Sequence, residues 1–81
     1  MNSRKAVEER ILHSCDQRRL ALNALAHRAG VPPSTVKSII NGASKNPGIV
    51  TLKLLCDGLG ISLFDFFNCE SFRSLESEDV E

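Results

Sequence analysis

The sequence lacks the features that mark a membrane protein or a multidomain enzyme. Its 81 residues and 8.9 kDa give room for one small domain with one compact core. It contains no apolar run approaching the ~18 residues that a membrane span needs, and no signal-peptide pattern follows Met1. We therefore expect a soluble, cytoplasmic protein.

Cysteine and histidine are few and poorly spaced for a structural or metal site. Cys15, Cys56 and Cys69 are an odd number at wide spacing, with no C-x-x-C pair, which argues against a disulfide framework or a zinc site. We expect Cys15 and Cys56 to be buried free thiols. His13 and His27 have no partner at ligand spacing, so the sequence implies no metal and no other cofactor.

No arrangement typical of a catalytic site is present either. A nucleophile needs a base within hydrogen-bond reach and a third group that orients the base. Cys15 lies two residues from His13, which places the two side chains on different faces of a helix. Glycine-rich phosphate loops and paired carboxylates are also missing, so we expect a protein that is not an enzyme.

The net charge of zero is the average of two unlike parts. Residues 68–81 hold one arginine against five carboxylates, a net charge of −4, and the other 67 residues hold nine basic against five acidic side chains, a net charge of +4. A nucleic-acid partner is therefore not excluded. We expect residues 68–81 to form a mostly mobile acidic tail, with room for a helical turn around Phe72 and Leu75. Two roles for this tail stay open: it keeps the chain soluble, or it competes with DNA for the basic part.

Apolar residues recur at helical spacing, and no segment alternates like a strand. We expect helices over about 6–17, 22–29, 33–41 and 49–59, and a short fifth helix that Ser62 caps and that ends near Phe67. Gly30, Gly42 and Gly60 are predicted to end the helices before them. Pro33 suits the first turn of the third helix.

The third helix has two opposite faces at ~100° per residue. Its apolar face carries Val36, Ile39 and Ile40. Its polar face carries Ser34, Lys37, Ser38 and Asn41. Small hydrogen-bonding side chains, one cation and no carboxylate suit a helix in the major groove of DNA. Judged by this face alone, a DNA-reading helix and an ordinary solvent-exposed helix remain equal alternatives.

The run LALNALAHRAGVPPSTVKSIINGASKNPGIVTLKLLCDGLGISLFDFF, residues 20–67, resembles the Cro/phage-repressor-type helix-turn-helix family, also called the Xre family. The positions that match the family pattern are Leu25, Ala26, Gly30, Val31, Ser34, Thr35, Val36, Gly42, Asn46, Pro47, Thr51, Leu52, Leu59, Gly60, Ile61, Ser62, Leu63 and Phe67. The resemblance implies an all-α, compact, five-helix, lambda-repressor-like DNA-binding domain in residues 1–67. Helices 2 and 3 would form the helix-turn-helix.

The same resemblance implies a sequence-specific transcriptional regulator, most often a repressor, that binds double-stranded DNA at a palindromic operator. The residues implied to read base edges are Pro33, Ser34, Lys37 and Ser38. Those implied to bind phosphate are Asn23, Thr35, Asn41, Ser44 and Lys45. The chain departs from the family pattern where Ala21, Leu22 and Pro32 replace the usual Thr, Gln and Ser, so two helix caps are lost, each worth ~1 kcal/mol.

Leu54 and Phe64 are apolar where the family usually has polar residues, and we expect them to form the interface of a homodimer. Alternatively, both side chains simply cover the edge of the core. A second alternative for the whole chain is a protein-interaction module, antitoxin-like or an adaptor, on a helix-turn-helix scaffold. The sequence indicates no membrane partner and no small-molecule effector.

Overall fold

The computed structural model describes residues 2–44 and 46–75, and within them the chain forms six helices and no strand. The helices are α1 (Ser3–Gln17), α2 (Leu22–Ala29), α3 (Pro33–Ile40), α4 (Ile49–Leu59), α5 (Leu63–Phe67) and α6 (Glu70–Arg73). None of these helices is both long and apolar enough to cross a membrane. The predicted all-α class is confirmed.

Within the described residues the chain has one helix more than the five predicted, because α6 forms in the segment expected to be a tail, where a helical turn around Phe72 was allowed for. Its one turn is held by Phe72, whose ring lies 4.9 Å from that of Phe67 and 5.9 Å from that of Phe66, between centroids. Burial of an aromatic side chain against such a cluster stabilises even a short helix. The rest of the predicted tail, residues 76–81, lies outside the described residues.

The core lies where α1, α2, α3, α4 and α5 meet, and α2 packs most extensively on α4. Its most deeply buried side chains are Ile11, Leu25, Val36, Ile39, Leu55 and Phe66. On α4, Gly58 allows α2 to approach closely, because a β-carbon there would lie 3.1 Å from Leu25 Cδ1 and 3.2 Å from Ala29 Cβ.

Helices α1, α2 and α4 end with the same backbone turn. A residue in the left-handed conformation follows each helix, and the next N–H group donates to a carbonyl five residues back. These donor–acceptor pairs are Leu20–Cys15, Val31–Ala26 and Ile61–Cys56, at 2.9 to 3.0 Å. Gly30 and Gly60 take the left-handed position as predicted, whereas α1 uses Arg19, with φ +50°.

Arg10 on α1 and Arg18, the residue that follows α1, bind the ends of other helices. The Arg10 guanidinium donates to the carbonyl oxygens of Phe66 and Asp65, both at 2.8 Å, at the end of α5. The Arg18 guanidinium donates to Leu59 O, the last carbonyl of α4, at 2.9 Å. Cations at helix C-termini satisfy free carbonyls and oppose the helix dipole. Both charges therefore serve the fold.

Cys15 and Cys56 are buried free thiols, as predicted. Burial raises the pKa of both, and for Cys56 the neighbouring Asp57 carboxylate raises the pKa further. Each side chain therefore stays a protonated thiol rather than a nucleophilic thiolate. Across the described ranges, no group of three or more His, Cys, Asp and Glu side chains is arranged to hold a metal ion.

Candidate nucleic-acid interface

The turn between α2 and α3 fixes which face of α3 points away from the protein. Gly30 ends α2 with φ +69°, and Pro33 starts α3 at its first position. Val36 is fully buried and Ile39 is 2% exposed, while Ile40 is half-buried. The apolar face predicted for α3 is confirmed, and the opposite face is consequently open to a partner.

The four residues expected to read bases all lie in the first six positions of α3. Pro33, Ser34 and Lys37 are exposed, and Ser38 is half-buried. The carbonyl of Ser38 accepts a hydrogen bond from the N–H of Ser44 at 2.9 Å, which fastens the following loop to α3. The structure thus brings these residues together on one accessible surface, and their contact with bases stays a prediction.

The residues expected to bind phosphate are spread around that surface. Asn23 is exposed in the first turn of α2, and Thr35 and Ser44 are half-buried. Asn41 is exposed, and its Oδ1 accepts from Ala43 N at 2.9 Å, so this side chain also shapes the turn after α3. Lys45 lies outside the described residues.

The first turns of α2 and α3 contain backbone N–H groups that have no acceptor among the described residues. Ala21 and Pro32 precede these helices, and neither provides a side-chain cap. Among the described residues, the N–H groups of Asn23, Ala24 and Ser34 make no hydrogen bond. Free N–H groups at the positive end of a helix dipole are well suited to binding an anion.

Carboxylates are absent from a long stretch around this surface. From residue 17 to residue 56 the sequence contains no Asp or Glu. The basic residues in that stretch are Arg18, Arg19, Arg28, Lys37, Lys45 and Lys53. Six of the nine basic residues of the first 67 positions therefore lie between the turn that follows α1 and the end of α4, where the sequence has no carboxylate before Asp57.

A second exposed surface is apolar. Phe64 is 73% exposed, whereas Leu54 is only 38% exposed and lies nearer the edge of the core. Ile49 and Val50 were not predicted here, yet they are 60% and 70% exposed. The sequence contained the information needed to predict Val50, because Val50 stands four residues before Leu54 and thus on the same face of α4.

Comparisons with known proteins agree on the fold. A family model described as helix-turn-helix matches residues 15–66, which include all of α2, α3 and α4. The crystal structure of the prophage Lp1 protein 11 matches with a TM-score of 0.80 and 34% sequence identity, over 93% of this chain and 100% of that chain. No curated protein matches the sequence.

Proposed function

Since this chain belongs to the Xre-type helix-turn-helix family, which typically consists of DNA-binding regulators rather than enzymes, we propose that it is a sequence-specific transcriptional repressor. It acts in the cytoplasm, binds a palindromic operator as a homodimer and inserts α3 into the major groove. Its function is binding rather than catalysis, without a cofactor or a small-molecule effector. Burial raises the pKa of the Cys15 and Cys56 thiols, so neither is set up as a thiolate nucleophile.

The observation that carries the proposal is the open face of α3. It presents Pro33, Ser34 and Lys37 to solvent, in a stretch of forty residues without a carboxylate. Lysine donates to guanine O6 and N7, and serine bonds either to donors or to acceptors on base edges. A carboxylate on this face would instead be repelled by phosphate.

Backbone contacts would fix the register of α3 in the groove. We assign them to Asn23, Thr35, Asn41, Ser44 and Lys45. The unpaired N–H groups in the first turns of α2 and α3 support this assignment, because they need an acceptor that the described part of the chain does not supply.

The first experiment is selection of bound sequences from a random duplex library of about 30 bp at near-physiological salt. Enrichment of a palindrome would support a dimeric, sequence-specific reader and would identify the operator. A folded protein that enriches nothing would count against DNA reading. It would favour the protein-interaction alternative, for which the exposed Val50 and Phe64 side chains offer a contact surface.

Charge reversal at Lys37 tests the role of α3. Lys37→Glu should abolish binding to the selected duplex, since a carboxylate would face phosphates and base acceptors. Lys53→Glu is the matched control, because Lys53 is an exposed lysine on α4 that pairs with Asp57. Equal binding by the Lys37→Glu variant and the wild-type protein, with both folded by circular dichroism, would contradict the assignment.

The dimer is tested at the second surface. Phe64→Glu and Leu54→Glu should give folded monomers in sedimentation experiments and weaken operator binding, because two half-sites no longer bind together. Phe64→Glu should have the larger effect, since Phe64 is almost twice as exposed. A folded Phe64→Glu variant that remains dimeric would remove Phe64 from the interface.

The acidic tail has a smaller proposed role, as a competitor of DNA for the basic surface. Deleting residues 76–81 should then tighten binding at low salt, because it removes four carboxylates. Truncation after Leu75 is preferable to truncation after Phe67, since it keeps Phe72 against Phe66 and Phe67. Unchanged affinity at low salt would dismiss the competition.

A further inference from the structure

The first turn of α1 brings an arginine to the loop that follows α3. The Arg4 guanidinium lies over Gly42: its Cζ is 3.6 Å from the place that a β-carbon on Gly42 would take, and its Nη1 is closer still. Gly42 has φ +83°, in the left-handed region. Glycine therefore has two roles at position 42: it adopts the left-handed turn, and its lack of a β-carbon leaves space for the guanidinium.

Arg4 differs from Arg10 and from Arg18, which directly follows α1, because the described part of the chain gives it no hydrogen-bond or ion-pair partner. Arg10 and Arg18 each donate two hydrogen bonds to carbonyl oxygens. Within the described residues, the Arg4 guanidinium donates no such hydrogen bond and has no carboxylate within 4.0 Å. Glu8, one turn later on α1, pairs with Lys5 at 3.4 Å. A half-buried cation thus lies over the α3–α4 loop without being neutralised by the described residues.

We propose that Arg4 binds a backbone phosphate of duplex DNA beside the α3–α4 loop. This inference rests on the proposed DNA-binding function and extends the contact surface to the start of α1. Guanidinium groups bind phosphate oxygens through paired hydrogen bonds. Gly42 lies between Asn41 and Ser44, which we assign to phosphate, and the Ser44–Ser38 hydrogen bond ties this loop to α3. Arg4 therefore stands next to the path proposed for the DNA strand.

The position of the side chain also favours binding. An exposed arginine loses much rotamer freedom when it binds a phosphate, whereas Arg4 is already packed against Gly42. The interaction would carry no sequence information, since a phosphate is present at every step of the duplex. Its removal should therefore weaken binding to the operator and to unrelated DNA by the same factor.

The test compares Arg4→Gln with Arg73→Gln by fluorescence anisotropy, using a labelled random duplex of about 30 bp and the selected duplex. Both variants remove one arginine charge, but Arg73 lies on α6 and already pairs with Glu70 and Asn68. Arg4→Gln should weaken binding to both duplexes by about 3- to 10-fold. It should also reduce the slope of log K against log salt by about 0.9 for each phosphate that is no longer neutralised. Arg73→Gln should change affinity by less than about twofold, and Arg4→Lys should restore part of the affinity.

Three outcomes distinguish the two proposals. If the wild-type chain binds duplex and Lys37→Glu loses binding while Arg4→Gln matches Arg73→Gln in affinity and slope, the phosphate role of Arg4 alone is overturned. If Arg4→Gln weakens only the selected duplex, Arg4 reads bases, and the proposal is again wrong. A folded wild-type chain that binds neither duplex overturns both the proposed function and this inference.

Discussion

The helix ends of this protein fall into two groups. Helices α1 and α5 start with side-chain caps: Asn2 Oδ1 accepts from Lys5 N at 2.8 Å, and Ser62 Oγ accepts from Asp65 N at 3.0 Å. At the C-terminal ends of α4 and α5, arginine guanidinium groups donate to carbonyl oxygens of the last turn. The supporting helices thus satisfy many of their terminal groups from within the chain.

Helices α2, α3 and α4 start differently. The residues before them are Ala21, Pro32 and Gly48, and none provides a side-chain acceptor; the one-turn α6 also starts without one. Ala21 costs ~1 kcal/mol relative to a capping residue, whereas a glycine such as Gly48 costs only about a few tenths of a kcal/mol. Among these uncapped helices, α2 and α3 carry the surface assigned to DNA, and N–H groups in their first turns have no acceptor within the described residues. Three substitutions at helix ends test this contrast.

The largest effect on the free energy of unfolding should come from removing the arginine that binds the end of α5. Arg10→Met keeps the apolar stem of the side chain but leaves the Phe66 and Asp65 carbonyls without their donor. We expect the free energy of unfolding in urea to fall by about 2 kcal/mol, since a hydrogen bond to a charged group is worth ~1.5–3 kcal/mol. Operator binding should be unchanged below the unfolding transition.

Arg28→Met is the control, because Arg28 is exposed on α2 and has no partner among the described residues. Its free energy of unfolding should stay within about 0.5 kcal/mol of the wild-type value. Equal stability of the two variants would show that the Arg10 bonds do not stabilise the end of α5.

The next largest effect on stability should come from adding a side-chain cap before α2, which lacks one. Ala21 has φ −69° and ψ 151°, the extended geometry of a capping residue. Ala21→Ser should therefore raise the free energy of unfolding by about 1 kcal/mol, because the hydroxyl can accept from a free first-turn N–H group. Thermal unfolding followed by circular dichroism measures the gain, and a lower Tm would contradict it.

The smallest effect on stability should come from replacing Arg19, a non-glycine residue with a left-handed backbone. Within the described ranges, Arg19 closes α1 with φ +50°, where Gly30 and Gly60 close α2 and α4. Arg19→Gly should stabilise the protein by about 0.5–1 kcal/mol, since glycine adopts this conformation without a steric cost. Gly60→Ala should have the opposite sign, and two variants that both destabilise would show that Arg19 makes a compensating contact.

Local patterns predicted most of the helices, and the resemblance to the Xre family implied how they are arranged. The apolar spacing of Val36 and Ile39, the glycines at positions 30 and 60, and the Ser62 cap each depend on neighbours within one or two helical turns. Such signals survive in a single sequence. The same spacing separated the open face of α3 from its buried face, but it left a DNA-reading helix and an ordinary exposed helix as equal alternatives. The resemblance to the Xre family was what indicated the candidate DNA surface.

Long-range contacts were not predictable in this way. Arg10 bonds to Phe66, 56 residues away, and Arg18 to Leu59, 41 residues away. In the sequence these arginines look the same as Arg4, which has no such partner in the described part of the chain. Phe72 stood in a polar segment, and only its packing on α5 gives it a place in the fold. Only the tertiary structure shows which arginines stabilise the fold and which remain available to a partner.

The aromatic cluster at α5 and α6 also determines how this protein can be observed by spectroscopy. The chain has no tryptophan or tyrosine, and its four phenylalanines all lie between residues 64 and 72. Near-ultraviolet circular dichroism will consequently report on the docking of α6 and on nothing at the α3 surface. A single tryptophan introduced at the exposed His27 of α2 would then be the sole strong fluorophore, and its emission could be followed without background.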